Sequence, residues 1–403
     1  MAILRSTLWL SLSDGIVLIA SAVVSILIAR YLGADALGEY SIAITLGTIV
    51  QMIADAGYSI GLARKVAAMP EAIISIVSAA IGTKITLWLI ALPGAITTAL
   101  LQSVPTSLLT AIVLCDVGAS CVTFSILGAL RGIGNFVMPQ LLSSAYQILA
   151  TVAMGALLVY TSTLPLVLGA MVAIGFLRAV HLHQLFRKQT GRSIPLATVA
   201  RHISLRAIAH ELGAHWRLWV INIASMAIHR LPLVILGLRS SSTEVGYFSA
   251  AFRIYSAARI VPGALFTVSV PEMATLSARP KIARKILVVG AGLSFVLAGM
   301  MWISAPWVIT ATFQFDASIF PLRIMALAFG GLSLKTTLEA ILIGRMHDSV
   351  VAWIVSIVAF LTIFATWIVP ASAVWYSFVL AGSEWLLCIL FWWFGVHRHL
   401  FSS

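Results

Sequence analysis

Of the chain's 403 residues, 61% are hydrophobic and only 9% are charged, and the formal net charge is +12. An average soluble domain is about a quarter charged, so this composition excludes water as the main solvent and leaves no stretch for a separate soluble domain. The basic excess does not point to nucleic acid, because such a patch needs an exposed folded surface and the connections between apolar runs are short.

A spanning helix takes roughly 20 mostly apolar residues. In chain order the apolar runs fall near 8–30, 39–61, 74–100, 107–130, 139–161, 163–185, 216–238, 246–271, 286–310, 319–343, 348–369 and 373–396. They predict an all-α integral membrane bundle of about twelve transmembrane helices. The opening Met-Ala-Ile-Leu-Arg is like a signal n-region, but the apolar run continues to about Ile28 without a cleavage site, so it is read as a retained first span. Cys115, Cys121 and Cys388 sit inside apolar runs, are odd in number and lack metal-ligand spacing, so they read as core side chains and no metal or cofactor is expected.

Lys and Arg near span ends resist translocation. Alternate connections, together with both termini, hold sixteen of them, whereas the other set holds only Arg30, Arg239 and Arg323. This asymmetry predicts that both termini are cytoplasmic. The one long connection, 186–215, divides the chain into a six-helix lobe at 1–185 and another at 216–403. Within it Leu196, Val199, Ile203 and Leu212 recur near helical spacing, with Arg201, His202, Arg206 and His210 between them. That pattern fits either an interfacial amphipathic helix on an anionic leaflet or a solvated basic linker.

A faint repeat relates the halves. Gly38-Glu-Tyr-Ser-Ile-Ala43 opens the second span and Gly246-Tyr-Phe-Ser-Ala-Ala251 opens the eighth. Both follow an external connection and run inward, so the repeat is parallel, as in transporters whose lobes are related by a pseudo-two-fold.

Each ionisable group in hydrocarbon costs on the order of 2.5 to 3.5 kcal/mol on insertion scales, so each needs a partner, a cavity or a job. Ser11, Asp14, Ser21 and Ser25 share a face of the first span, and Ser41, Thr45, Thr48, Gln51 and Asp55 share one of the second. Asn222, Ser225, His229 and Arg230 cluster on the seventh, and Ser249, Arg253, Ser256 and Arg259 on the eighth. These four spans are therefore predicted to line a wet cavity. Folding the seventh and eighth as a hairpin about residue 242 places Arg230 and Arg253 at one depth, with Arg259 two turns deeper and Lys84 of the third span facing them. Guanidiniums this close repel unless an anion lies between them, and Arg suits bidentate phosphate binding.

The alternative is neutralisation by acidic neighbours. Lys335 and Glu339, four apart, are expected to pair, Glu384 to face Arg253 or Arg259, and Lys84 to face Asp116, although those two are out of register. Arg178 is expected to snorkel to the cytoplasmic surface. Asp14, Asp55, Asp116 and Glu384 either bind a coupling proton or sodium ion or counter the cations.

Several segments resemble polysaccharide transporters of the Wzx type. Leu27-Ile-Ala-Arg30-Tyr-Leu-Gly33 followed by Gly38-Glu-Tyr-Ser-Ile-Ala is similar to their first helix pair. Leu233-Val-Ile-Leu-Gly, Val245-Gly-Tyr-Phe-Ser-Ala-Ala-Phe-Arg253 and Pro271-Glu-Met resemble the start of their second half. Phe320-Pro-Leu-Arg-Ile-Met-Ala-Leu327 and Ala381-Gly-Ser-Glu384 look like its end. The resemblance implies the multidrug, oligosaccharidyl-lipid and polysaccharide exporter fold. It also implies an undecaprenyl-diphosphate-linked saccharide as cargo, for O-antigen or a related surface glycan. A bacterial inner-membrane location follows from it, as do polysaccharide polymerase and chain-length machinery as partners. His229-Arg-Leu-Pro232 departs from it, standing where many relatives carry an Asp, which puts an ion-coupling role for this helix in doubt.

The expected function is thus a flippase. A small-molecule exporter of the same superfamily is the second reading, disfavoured by the cationic centre. A membrane-embedded glycosyltransferase or polymerase is the third, disfavoured by short external connections whose main acids are Asp35, Glu39, Glu244 and Asp316.

Overall fold

An unbroken helix of 54 residues would run about 80 Å at 1.5 Å per residue, far beyond the ~30 Å hydrocarbon core of a bilayer. The first helix, α1 (Ala2–Asp55), has that length, and it is broken at Gly33, whose φ of 86° and ψ of −174° only glycine adopts at low cost. The computed structural model describes residues 2–55, 58–135, 137–161, 163–203, 205–259, 280–344 and 348–397, with side chains left undescribed chiefly at 2–14, 205–215 and 280–287.

Helices α2 (Tyr58–Ala68), α3 (Ile73–Leu100), α4 (Val104–Gly132), α5 (Val137–Thr161), α6 (Leu164–Thr190) and α7 (Leu196–Arg201) follow. Then come α8 (Leu205–Arg239), α9 (Ser242–Ala258), α10 (Pro280–Thr312), α11 (Ile319–Gly344), α12 (Asp348–Ile368) and α13 (Ala373–His397). There is no strand among the described residues. Among the described residues, ten helical segments are long and apolar enough to cross a membrane. The bent α1 counts once among them, as Ile19–Asp55, and the run expected at 246–271 continues past the described residues.

The helix ends carry local stop and start signals. Ser103 caps α4, its hydroxyl accepting from the Thr106 N–H at 3.1 Å, and Ser241 caps α9 by accepting from the Glu244 N–H. Gly191 ends α6 in the left-handed conformation, φ 67°, its N–H donating to the Arg187 carbonyl.

The chain packs as two units, Met1–Leu32 with Glu39–Trp219, and Gly33–Gly38 with Val220–Ser403. In the first unit α4 packs on α3 and α6, and α5 on α6. Their core gathers Leu62, Val77, Ile81, Ile126, Leu130, Leu182, Phe186 and Val199. Val199 belongs to α7, so the connection after α6 is partly docked rather than lying wholly on a surface. Gly82 makes this approach feasible, since a Cβ there would press on His202. The connection is also shorter than the expected 186–215, because α6 runs to Thr190 and α8 begins at Leu205. No single helix therefore joins Leu196 to Leu212.

In the second unit α11 is central and packs on α9, α10 and α13. Gly330 and Gly331 let α13 approach, a Cβ on Gly331 lying 3.0 Å from the Trp385 backbone nitrogen, and the Trp385 indole donates to the Leu327 carbonyl at 3.1 Å. Arg239, at the end of α8, donates to the Thr366 and Val369 carbonyls at 2.8 and 2.9 Å. A cation on the orphan carbonyls of a helix C-terminus is favoured by the helix dipole, which gives this exception to the charge asymmetry a structural role. Glu244 accepts from the Ala373 N–H at 2.8 Å and so caps the start of α13.

Residues 33–38 join this unit through backbone contact. A Cβ on Gly38 would strike the Ser242 carbonyl oxygen, and one on Gly246 would strike the Ala34 carbonyl oxygen. Between these two crossings the Thr243 hydroxyl donates to the Asp35 carboxylate. The two glycines of the sequence repeat are thus the two that this contact requires.

Candidate functional site

In the first unit the lower limb of α1 presents Thr48, Gln51 and Asp55 at successive turns of one face, as the spacing predicts. With Met52, Lys84 of α3, and Cys121 and Phe124 of α4 they line a cavity of about 310 Å³. Lys84 is buried and its Nζ lies 2.7 Å from Asp55 Oδ1. The expected partner, Asp116, is elsewhere, across from Arg178 in a separate polar cluster with Tyr146 and Gln147. Arg178 donates to the Ser120 hydroxyl at 3.3 Å, so it turns inward to Asp116 and Ser120 instead of snorkelling. Gly175 makes room for the Asp116 carboxylate, which would collide with any Cβ there. Ser25 is buried and donates to the Ser21 carbonyl at 2.9 Å; neither serine is on the cavity wall. The side chain of Asp14 lies outside the described residues.

In the second unit the charged groups converge from four helices. Glu384 of α13 is fully buried. Its Oε2 lies 3.4 Å from Lys335 Nζ of α11, and its Oε1 lies 3.5 Å from His229 Nε2 of α8. The Tyr255 hydroxyl of α9 donates to Oε1 at 3.3 Å. Two expectations are corrected here. Lys335 reaches across to Glu384 rather than along its own helix to Glu339, whose charge it still feels, and Glu384 pairs with Lys335 and His229 rather than with Arg253 or Arg259. A buried acid needs such partners because an isolated carboxylate in a low dielectric is very costly.

Arg230 sits over the Phe252 ring at 5.7 Å, and its charge interacts with those of Arg253 and Arg259. Arg230, Arg253 and Arg259 are all half-buried, and Arg259 caps the C-terminal end of α9. Arg259 also interacts electrostatically with His229, Tyr255 and Glu339, which joins the arginine group to the Glu384 cluster. Of the expected polar lining, Asn222 is exposed, Ser225 and Ser256 are half-buried, and Ser249 is buried with a hydroxyl that has no hydrogen-bond partner among the described residues.

Sequence reasoning missed Tyr255 and the Asp116–Arg178 pairing. Tyr255 had a signal, because Phe248, Phe252 and Tyr255 recur at helical spacing and stack along the buried face with centroids 5.9 Å apart. Among the described residues, no group of His, Cys, Asp and Glu is arranged to hold a metal.

A family model described as "Polysaccharide biosynthesis protein" matches residues 3–277. No curated protein matches the chain significantly in sequence. Among solved structures, one described as lipid II flippase MurJ in an inward closed conformation superposes with a TM-score of 0.71 at 12% identity, over 96% of this chain and 87% of that one. A multidrug resistance MATE family transporter of the MOP superfamily, inward-facing, gives 0.68 at 14% identity over 94% and 93%. A MOP superfamily transporter from Pyrococcus furiosus gives 0.62 at 15% over 99% and 97%. At these identities the likeness is one of fold.

Proposed function

Because this chain belongs to the polysaccharide biosynthesis protein family, we propose that it is a flippase for undecaprenyl-diphosphate-linked oligosaccharide repeat units, as used for O-antigen or a related surface glycan. The observation that carries the reading is the group of Arg230, Arg253 and Arg259 on α8 and α9, half-buried inside a membrane protein, with the charge of Arg230 acting against those of the other two. Among the described residues, these three arginines and Lys335 stand against the carboxylates of Glu339 and Glu384. Guanidinium forks match phosphate oxygens bidentately, and a diphosphate relieves their mutual repulsion. A solved structure of similar fold is named a lipid II flippase, which accords with a lipid-borne cargo.

In this reading the twelve spans form two six-helix lobes with cytoplasmic termini in a bacterial inner membrane. The arginines hold the diphosphate, the polyprenyl chain stays in lipid, and the lobes rock to expose the site to each side in turn. Asp55, Asp116 and Glu384 serve first as countercharges to Lys84, Arg178 and Lys335. These acids and Asp14 are the groups at which a coupling proton or sodium ion can exchange. A polymerase and chain-length machinery take the product.

Arg253→Ala and Arg259→Ala are each expected to abolish surface glycan while membrane abundance of the protein stays at the wild-type level, as read by glycan blot against immunoblot. Normal glycan in both variants sinks the assignment.

A further inference from the structure

We infer that the cavity of the first unit is a saccharide subsite, taking a neutral, hydroxyl-rich part of the cargo and rejecting its charged part; this rests on the flippase reading above. The charge on the wall decides against phosphate. Among the described residues Lys84 is the one cation lining the cavity; its side chain is 1% exposed, against 32% for Asp55, its partner at 2.7 Å. An entering group therefore meets the carboxylate of the pair and not the ammonium. A phosphate is repelled, whereas a sugar hydroxyl finds an acceptor whose position is fixed from behind.

What surrounds that carboxylate suits a pyranose. Gln51 stands one turn back along α1 from Asp55, offering both donors and an acceptor, and Thr48 follows one turn further. The Thr48 hydroxyl donates to the Ile44 carbonyl at 2.8 Å, which leaves its oxygen able to accept. Met52 lies beside this ridge on the same helix, and the partly exposed ring of Phe124, on α4, supplies an apolar wall. A sugar ring has a polar rim and a C–H face, so one side of such a cavity satisfies its hydroxyls while the other covers its apolar face. Ligand cavities commonly combine an apolar wall with a few convergent polar groups and span about 300 to 1,000 Å³. At about 310 Å³ this one holds a small part of an oligosaccharide and not the whole repeat unit.

The test is binding to the purified full-length protein in nanodiscs, with two probes: undecaprenyl diphosphate, and the same lipid bearing N-acetylglucosamine. The wild type is expected to bind the sugar-bearing lipid about tenfold more tightly, and Gln51→Ala and Phe124→Ala each to erase most of that preference while binding the bare lipid as before. Arg253→Ala is expected to weaken both probes alike. Because Asp55→Asn alone strands a buried lysine, the carboxylate is tested in the double variant Asp55→Asn/Lys84→Met, which removes the ion pair together and is expected to lose the preference too. Equal affinities of the wild type for the two probes, or Gln51→Ala and Phe124→Ala variants that keep the full preference, overturn the subsite and leave the flippase reading standing. A wild type that binds neither lipid overturns the flippase reading, and the subsite with it.

Discussion

Glu384 meets a lysine, a histidine and a tyrosine at 3.3 to 3.5 Å, and each comes from a different helix. Breaking a buried ion pair by removing one member typically costs about 3 to 5 kcal/mol, because the other is left charged without compensation. Glu384→Gln and Lys335→Met are accordingly each expected to lower the thermal midpoint of the purified protein by several degrees. The double variant is expected to recover a substantial part of the loss. Strict additivity of the two shifts would show that the residues do not interact. Individual charges were only half legible in the sequence. That Lys84, Lys335 and Glu384 need partners follows from the cost of charge in hydrocarbon, but the partners do not. Spacing along one helix suggested Lys335 with Glu339, whereas the choice of Glu384 depends on how α11 and α13 are rotated about their own axes, and helices buried on most sides carry little amphipathic pattern to fix that rotation. Arg230 and Arg253 were legible as neighbours because the tight connection between α8 and α9 leaves only one register for the hairpin.

At the scale of elements, the hydropathy of the runs located most helices, and glycines determined how closely they join. Gly33 bends α1 and Gly191 ends α6, each through a positive φ. Gly38 and Gly246 act differently, by leaving space for a carbonyl. Gly246→Ala is expected to prevent that contact from closing and to reduce surface glycan strongly. Gly299→Ala serves as the control: it meets open space and replaces a helical glycine by a better helix former, so it leaves glycan unchanged. Full glycan from Gly246→Ala would mean that the contact is dispensable. The connection after α6 was the least legible element. Its basic, apolar-spaced pattern fits a lipid surface, but Val199 finds a protein core first, because Gly82 on α3 opens a place for the chain against it.

For the whole molecule, the charge asymmetry yields an orientation that labelling can check. In a background where Cys115, Cys121 and Cys388 are replaced by serine, Ser193→Cys, between α6 and α7, is expected to react with a membrane-impermeant maleimide only after the cells are opened. Thr163→Cys, just before α6, is expected to react in intact cells. The reverse pattern would refute cytoplasmic termini. The fold class was legible because solvent dictates composition over hundreds of residues, whereas sites depend on a handful of side chains that contribute little to any average.

The contact around Asp35 is reciprocal. Ala34 meets Gly246 and Ser242 meets Gly38, so each crossing is the other with its ends exchanged, and Asp35 meets Thr243, 208 positions further on. This is how a surface meets its own copy across a two-fold axis, where residue i touches j and j touches i. With the same residue at both positions, Asp35 would face a second Asp, two acceptors with no proton between them. Thr243 supplies the donor that a second Asp at this place could not.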